Sequence, residues 1–303
     1  MPAGVTGPAP AVLLLAGSGP TDRNGDSKLV SGSIGTLNYL ADVLARHGIA
    51  SLRYDKLGTG QTGLGPFRVA DLAGLSFDEF LHEAAAAANF LAAQPGIDPS
   101  GIGIVGHSEG ALIAFALADG KAGPIPALRS VGLIEPPADR ILDIMAKQLT
   151  AQVVQAEQQG TLSQVDGVAL LASVAAIVTS LRVTGTVPSG VPQPLQQAGF
   201  TPTNAKFLAT EDQLDPIALA STLSAPLRVF TSCSDHDIQI ACADVARLNQ
   251  ALTRTTLQTV HLTTADHVLK DTGDQPSTGA EYAAPLPYSS QFTDAFGDWI
   301  DGH

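Results

Sequence analysis

The stretch Ile102-Gly103-Ile104-Val105-Gly106-His107-Ser108-Glu109-Gly110 decides the fold of this chain. Its apolar beginning has the character of a strand, and its end reads Gly-x-Ser-x-Gly. A serine on a sharp strand-to-helix turn needs a glycine two positions before it and two positions after it, because a Cβ there would collide with the adjoining backbone. Both glycines are present. The stretch therefore predicts a strand, a tight turn that exposes Ser108, and a buried helix over residues 111–118.

Short apolar runs recur along the whole chain with amphipathic segments between them. Runs that are apolar at nearly every position are typical of strands buried on both faces of a sheet. The alternation predicts an α/β fold with a doubly wound, mostly parallel sheet, in which ligands bind at the carboxyl ends of the strands. Ser108 falls at such an end. The predicted strands are residues 11–15, 49–52, 102–105, 131–134, 227–230 and 257–262, and the predicted helices are residues 34–47, 77–94, 111–118, 241–252 and 291–300.

The connection between the fourth and fifth predicted strands is unusually long. It holds about ninety residues, whereas a crossover needs about a dozen. Residues 138–181 are rich in Ala, Leu, Val and Gln and predict two or three helices, and the proline-rich residues 184–203 predict an irregular passage. An insertion here would lie over the strand ends as a cap on the active site, or would be a peripheral decoration. We expect a core domain of residues 1–136 and 225–303 and a predominantly helical cap or lid insertion of residues 137–224.

The charge of the chain excludes some partners. The formal net charge is −13 with only 16 basic residues, so the chain has neither a polybasic membrane patch nor a stripe for nucleic acid. The acidity is typical of a solvated surface. No run of about eighteen apolar residues and no signal-like start occurs, so we expect a soluble protein without a membrane partner. The compartment, cytoplasmic or secreted, stays open, as does the oligomeric state.

The two cysteines do not indicate a metal site. Cys233 and Cys242 are the only cysteines, and they have no Cys-x-x-Cys or Cys/His ligand spacing. We therefore expect no metal and no cofactor. The pair could form one disulfide in an oxidising compartment or remain two buried thiols, and both alternatives stay open.

A serine nucleophile needs a histidine that takes its proton and a carboxylate that holds the histidine. In a doubly wound fold with this turn, the chain order is serine, then acid, then histidine. Four histidines follow Ser108. His303 is terminal, His261 lies within a predicted strand, and His236 lies inside the candidate acid loop. His267, just after the last predicted strand, is the expected base.

The acid is expected in the loop after the preceding strand, Ser232-Cys233-Ser234-Asp235-His236-Asp237. Asp237 comes just before the next predicted helix. Asp235 would more naturally brace the turn by accepting backbone amides. We favour Asp237 and keep Asp235 as the alternative.

Two backbone amides are needed for the oxyanion that forms during attack. One follows the nucleophile and belongs to Glu109. The other is expected in Ala16-Gly17-Ser18-Gly19-Pro20, whose small residues allow close approach, although such a loop can also be merely flexible. Pro20 excludes a dinucleotide-binding turn there, because that turn needs a glycine that opens a helix.

Charged residues follow the first two predicted strands. We expect Arg53, Asp55 and Lys56 to brace the neighbouring loops rather than contact substrate. Asp22 and Arg23 follow the candidate oxyanion loop and could pair with each other or fix its conformation.

These motifs together resemble the bacterial α/β-hydrolase serine esterases, in the branch related to dienelactone hydrolases and acyl-peptide-type peptidases. The resemblance implies Ser108, Asp237 and His267 as the triad and the amides of Ser18 and Glu109 as the oxyanion hole. Dienelactone hydrolases have a cysteine where this chain has Ser108, so their particular activity is not implied. The stretches that carry the resemblance are residues 16–25, 53–60, 106–110, 215–216, 237–240 and 266–270.

The expected function is that of a serine carboxylesterase acting on a small-molecule ester through an acyl-enzyme intermediate. The expected cap is apolar with few charges, so short- to medium-chain uncharged acyl groups are favoured. A peptidase, amidase or thioesterase with the same triad is the alternative, because fold and triad do not fix the leaving group. A more remote alternative is a non-catalytic binding protein on a hydrolase scaffold.

Overall fold

The computed structural model describes residues 7–302. Among these residues, six parallel strands form one sheet in the order β2-β1-β3-β4-β5-β6. The strands are β1 (Ala9–Leu15), β2 (Ala50–Arg53), β3 (Ile97–His107), β4 (Ser130–Ile134), β5 (Arg228–Ser234) and β6 (Thr256–Leu262). The helices are α1 (Thr36–Arg46), α2 (Asp78–Ala92), α3 (Glu109–Ala118), α4 (Ile141–Gln158), α5 (Gln164–Thr184), α6 (Gln193–Gln197), α7 (Ala205–Glu211), α8 (Pro216–Thr222), α9 (Cys242–Ala251) and α10 (Ser290–Asp301), with short 3₁₀ helices at Val69–Gly74 and Pro202–Asn204.

The predicted fold class is confirmed. Each predicted strand is present, and the α/β alternation gives a parallel sheet with crossover helices. The central strands are apolar throughout because both of their faces are covered: all five residues of β4 are buried. β6 lies at the end of the strand order and has exposed positions along its length.

The described chain divides into two compact units. The first comprises Met1–Gly65, described from Gly7, with Phe80–Ala138 and Pro216–His303, described to Gly302. The second comprises Pro66–Glu79 and Asp139–Asp215. These bounds differ from the expected insertion of residues 137–224. Pro137, Ala138 and helix α8 belong to the first unit, and Pro66–Glu79 belongs to the second. A role for the second unit as a cap on the active site remains a prediction.

An aromatic cluster anchors the last helix to the sheet in the first unit. Phe230 of β5 packs against Phe296 and Trp299 of α10, with ring centroids 5.4 Å apart in both pairs. All three side chains are almost completely buried. Such rings supply much of the apolar area buried in a core. The cluster packs α10 against the strand that precedes the loop of the candidate acid.

The second unit has a core of its own. Its buried side chains come from α4, α5, α6 and α7 and include Leu142, Ile177, Leu181 and Leu208. A buried carboxylate, Asp212, accepts hydrogen bonds from Arg140 and Arg182 and from the Leu142 amide. Paired in this way, the charge of Asp212 is tolerated in the interior.

Helix α5 is the one described helix that is long and apolar enough to cross a membrane, judged by length and composition alone. Its most apolar window has a mean hydropathy of 1.8 and is 22% buried. Core helices of soluble proteins meet the same criterion.

Candidate active site

Ser108 lies on the sharp turn between β3 and α3. Its backbone has φ 54° and ψ −123°, which is a strained conformation for a residue with a side chain. The turn requires both glycines: a Cβ at Gly106 would collide with the carbonyl of Gly110, and a Cβ at Gly110 would collide with that of Leu15. The Ser108 amide donates to the Ile134 carbonyl at 2.9 Å, which ties the turn to β4. The nucleophile candidate therefore stands at the carboxyl end of a central strand.

Asp237 and His267 are brought together from the loops after β5 and β6. His267 Nδ1 and Asp237 Oδ2 are 2.7 Å apart, and the two side chains are 4% and 0% exposed. Asp237 Oδ1 accepts the amides of Gln239 at 2.6 Å and Ile240 at 3.0 Å. Burial works to raise the pKa of Asp237, but His267 and the amides outweigh it and hold that pKa below its usual value. An ionised Asp237 keeps the proton on Nδ1 of His267 and leaves Nε2 free to accept one.

Asp235, the alternative acid, lies elsewhere. Its side chain is about half exposed and pairs with His261 Nε2 at 2.6 Å. His236 contacts the Thr272 hydroxyl. The expected bracing of the turn through backbone amides is performed by Asp237 and not by Asp235, because the Asp237 carboxylate has one oxygen for His267 and one for the amides.

His107 joins the strand end to the loop of His267. Its Nε2 donates to the His267 carbonyl at 2.7 Å, and the two rings lie 4.8 Å apart. Burial, followed by the repulsion of His267, lowers the pKa of His107 to about 3, so the ring is neutral at ordinary pH. The sequence pointed to His107 only as a variable position of the turn motif. Its contact with residue 267 is visible only in three dimensions.

A disulfide closes the loop that carries Asp237. Cys233 at the end of β5 and Cys242 at the start of α9 are bonded, with Cα atoms 5.2 Å apart. Of the two alternatives that the sequence left open, the structure has the disulfide. Within residues 7–302, the one group of three potential metal ligands close together is Cys233, Cys242 and His261, and both of its sulfurs belong to this bond.

The candidate oxyanion loop is held by a buried lysine. Lys56 Nζ donates to the Gly17 carbonyl at 2.6 Å and to Glu109 Oε1 at 2.9 Å. Within a planar trans peptide the carbonyl and the amide point in opposite directions, so fixing the carbonyl of Gly17 also fixes the direction of the Ser18 amide. Gly17 lies against Ser108: a Cβ at Gly17 would be 3.3 Å from the Ser108 Cβ.

Glu109 is the first residue of α3, where backbone amides have no partner within the helix. The helix dipole adds partial positive charge at this end. The buried ion pair with Lys56 fixes the Glu109 side chain, so the same lysine contacts both segments that are expected to supply amides for an oxyanion.

The other charged residues brace these loops. Arg23 pairs with Asp55, not with Asp22, and hydrogen bonds from Arg23 hold the pKa of the buried Asp55 well below its usual range. Asp22 Oδ1 accepts two amides of its own turn. Arg53 donates to the Asn24 and Asn38 side chains. The contacts of Arg53, Asp55 and Lys56 with neighbouring loops match the bracing role expected for these residues.

Glu135 is a buried residue of the site that the sequence analysis missed. It directly follows β4 and is 0% exposed, and its Oε1 accepts the hydroxyls of Ser232 and Ser234. A glutamate directly after a buried strand, at the carboxyl edge of the predicted sheet, was the available signal. The alternation of the two serines on β5 was another.

No protein-family model and no curated protein matches the sequence. Solved structures do match in fold. The esterase domain of a Rhodothermus marinus protein is 19% identical, with a TM-score of 0.51 over 100% of this chain and 90% of that one. Est1E from Butyrivibrio proteoclasticus, with ferulic acid bound, is 12% identical, with a TM-score of 0.55 over 100% and 90%. The α/β hydrolase GrgF from Penicillium sp. sh18 is 15% identical, with a TM-score of 0.51 over 88% and 84%. The chain has the α/β-hydrolase fold.

Proposed function

We propose that this chain is a serine hydrolase that cleaves carboxylic esters through an acyl-enzyme intermediate. The observation that carries the proposal is the buried hydrogen bond between Asp237 and His267, on the loops after β5 and β6, in a chain whose strained turn after β3 presents Ser108. A carboxylate, a histidine and a serine in this chain order are what acyl transfer requires in this fold.

In the proposed first half-reaction, Ser108 Oγ attacks the carbonyl carbon of the ester while His267 Nε2 takes the hydroxyl proton. Asp237 stabilises the imidazolium that forms. The amides of Ser18 and Glu109 bind the developing oxyanion, and each such donor is worth about 3 kcal/mol of barrier. His267 then gives its proton to the leaving alcohol. In the second half-reaction His267 activates water, which releases the acid and restores Ser108.

The proposed substrates are uncharged esters with short to medium acyl chains. The second unit is rich in apolar and small residues, and we keep the proposal that it acts as the cap that selects the acyl group. Each buried methylene would raise kcat/KM about fourfold until the pocket is full, since it gains about 0.8 kcal/mol. The fold shared with esterases supports the ester class but not an acyl length.

The test is hydrolysis of p-nitrophenyl esters from acetate to decanoate, with methyl ferulate, a thioester and an anilide in the same panel. We expect the short and medium esters to be cleaved fastest, with a maximum at an intermediate length. Ser108→Ala should lose at least about a thousandfold in kcat/KM, and Ser100→Ala, a surface serine on the same strand, serves as the matched control. Residual activity above that limit would contradict the proposal. Turnover of only the amide or the thioester would show the same machinery with a different leaving group.

A further inference from the structure

Glu135 has a backbone that its surroundings force into a rare conformation. Its φ is +47°, and within the described residues only Ser108, Glu135 and Leu269 combine a side chain with a positive φ. Ser108 is the proposed nucleophile, and Leu269 lies two residues after His267. Such strain costs about 1–3 kcal/mol per residue and persists where the surrounding structure over-determines it, typically at functional sites. The position of Glu135 therefore calls for a functional explanation.

The side chain of Glu135 is locked on one of its two oxygens. Oε1 accepts the Ser232 hydroxyl at 2.9 Å and the Ser234 hydroxyl at 3.0 Å, and the Glu135 amide donates to Ser232 Oγ at 3.1 Å. Oε2 is buried and has no hydrogen-bond donor within residues 7–302. Ser234 joins this carboxyl group to the candidate acid, because the Ser234 hydroxyl donates to Glu135 Oε1 and the Ser234 carbonyl accepts the Asp237 amide at 3.2 Å. Two carboxyl groups in contact satisfy each other only when one of them carries a proton.

The surroundings decide which of the two carboxyl groups, Glu135 or Asp237, carries the proton. Asp237 has the His267 ring and two backbone amides as donors, and these stabilise its charge. Glu135 has only two hydroxyls, and burial followed by the charge of Asp237 raises its pKa well above the usual value. The titratable groups facing this pair are His267 and, beyond it, the neutral His107. No cation neutralises a second negative charge here among the groups that act on Glu135.

We propose that Glu135 is a positioning residue of the triad: as a neutral carboxylic acid it donates a hydrogen bond from Oε2 to Asp237 and fixes that carboxylate against His267. The inference rests on the proposed function. Its protonation state can nevertheless be tested without any enzymatic turnover. A chain that hydrolysed no ester would refute the function and leave the state of Glu135 measurable.

The opposing hypothesis is that Glu135 is ionised and acts as a second acid of the triad. It would then place a second negative charge behind His267, which would move the acidic limb of the kcat/KM profile to higher pH. Glu135→Gln removes such a charge but keeps a donor for Asp237 and an acceptor for the serines. Glu135→Leu removes the charge, the donor and the acceptor with little change in volume.

The direct measurement is infrared spectroscopy of the protein labelled with ¹³C at glutamate carboxyl groups. At about pH 8 we expect one band of a protonated, buried glutamic acid in the wild type and its loss in Glu135→Gln. Burial raises the pKa of Asp266 to about 6, so this residue is ionised under these conditions. Two controls distinguish an Asp266 band from a Glu135 band: the label is confined to glutamate, and the variant Asp266→Asn removes the aspartate. Absence of the band in the wild type would overturn the proposal, and this result needs no variant to fold.

The kinetic measurement compares the two variants, after thermal unfolding has shown that each is folded. Glu135→Gln should keep kcat within about threefold with an unmoved acidic limb, and Glu135→Leu should lose at least about tenfold in kcat with KM nearly unchanged. Rescue by the glutamine is the result that a merely structural carboxylate would not give. An acidic limb lowered in Glu135→Gln, equal losses in both variants, or full activity in Glu135→Leu would each overturn the proposal.

Discussion

The exchange of Asp237 for asparagine gives the sharpest prediction for the proposed triad. Asp237 Oδ1 accepts two amides, from Gln239 and Ile240, and Oδ2 faces His267 Nδ1 at 2.7 Å. An asparagine must keep its oxygen toward the two amide donors, because its NH₂ group cannot accept them. The NH₂ group then points at His267 Nδ1 and donates to it. This forces the proton of the neutral ring onto Nε2, the nitrogen that accepts the Ser108 proton in the proposed mechanism.

The expected loss of kcat is large because Nε2 can no longer accept a proton, although asparagine has the same shape as aspartate. A wrong tautomer and an unstabilised imidazolium together lower kcat by about 10⁴, or about 5.5 kcal/mol of barrier. The matched control is Asp235→Asn in the same loop. Its pair with His261 is about half exposed and does not involve His267, so we expect kcat to change by less than about twofold.

The assay is steady-state hydrolysis of the best p-nitrophenyl ester at about pH 8. Thermal unfolding of both variants checks that the loop is still folded. If Asp237→Asn kept more than about a hundredth of the wild-type kcat, or if Asp235→Asn were the more damaging change, Asp237 would not be the acid.

Three further changes test the supports of the site. Lys56→Met should lower kcat about ten- to a hundredfold with KM nearly constant, since the proposed oxyanion loop would lose its anchor. An unchanged kcat would refute this role of the lysine. Burial lowers the pKa of His107 to about 3 in the folded protein. Below the unfolded-state pKa of about 6.5 the unfolded chain binds a proton that the folded protein does not, so stability is lost as the pH falls from about 6.5 toward 3. The wild type should therefore lose about 3 kcal/mol relative to His107→Gln between about pH 7.5 and 4.5, measured by urea unfolding, and a constant difference would show that His107 does not titrate in this way. Replacing Cys233 and Cys242 by serine opens a short loop and should cost about 2.5 kcal/mol of stability, seen as a lower Tm. Dithiothreitol should have the same effect on the wild type and none on the double variant, and an equal response of both would place the effect elsewhere.

The elements that sequence alone could predict are those fixed by local chemistry. The turn at Ser108 follows from two glycines whose Cβ atoms would have no room, and the buried strands follow from their apolar runs. Asp237 and His267 could be proposed because chain order and strand ends restrict the choice to a few residues. The structure places these two side chains in contact and leaves Asp235 near the surface.

The remaining features depend on contacts between distant segments. The pairing of β4 with β5 brings Ser232 and Ser234 to Glu135; the sequence marks Glu135 as a residue at a strand end but does not identify these two hydroxyls as its partners. Lys56 reaches Gly17 across 39 positions of the chain. The segment Pro66–Glu79 belongs to the second unit, and its contacts come from residues far along the chain.

Those contacts show why the boundary of the helical unit could not be predicted. Lys206 donates to the Gly74 carbonyl at 2.6 Å, and the Phe77 amide donates to the Thr210 hydroxyl at 2.8 Å. Composition indicated a separate unit in the long connection between β4 and β5, but it did not indicate that Pro66–Glu79, before β3, belongs to the same unit.

The most direct test of the proposed function is labelling with a fluorophosphonate, followed by peptide mapping. A serine activated by His267 should form a single phosphonyl adduct at Ser108, and ester turnover should fall in proportion to the fraction labelled. The adduct should be absent from heat-denatured protein and from Ser108→Ala. Two results would contradict the proposal that Ser108 is the nucleophile of an acyl-enzyme hydrolase. One is a folded protein that forms no adduct, and the other is loss of turnover with the adduct on another serine while Ser108 stays unmodified.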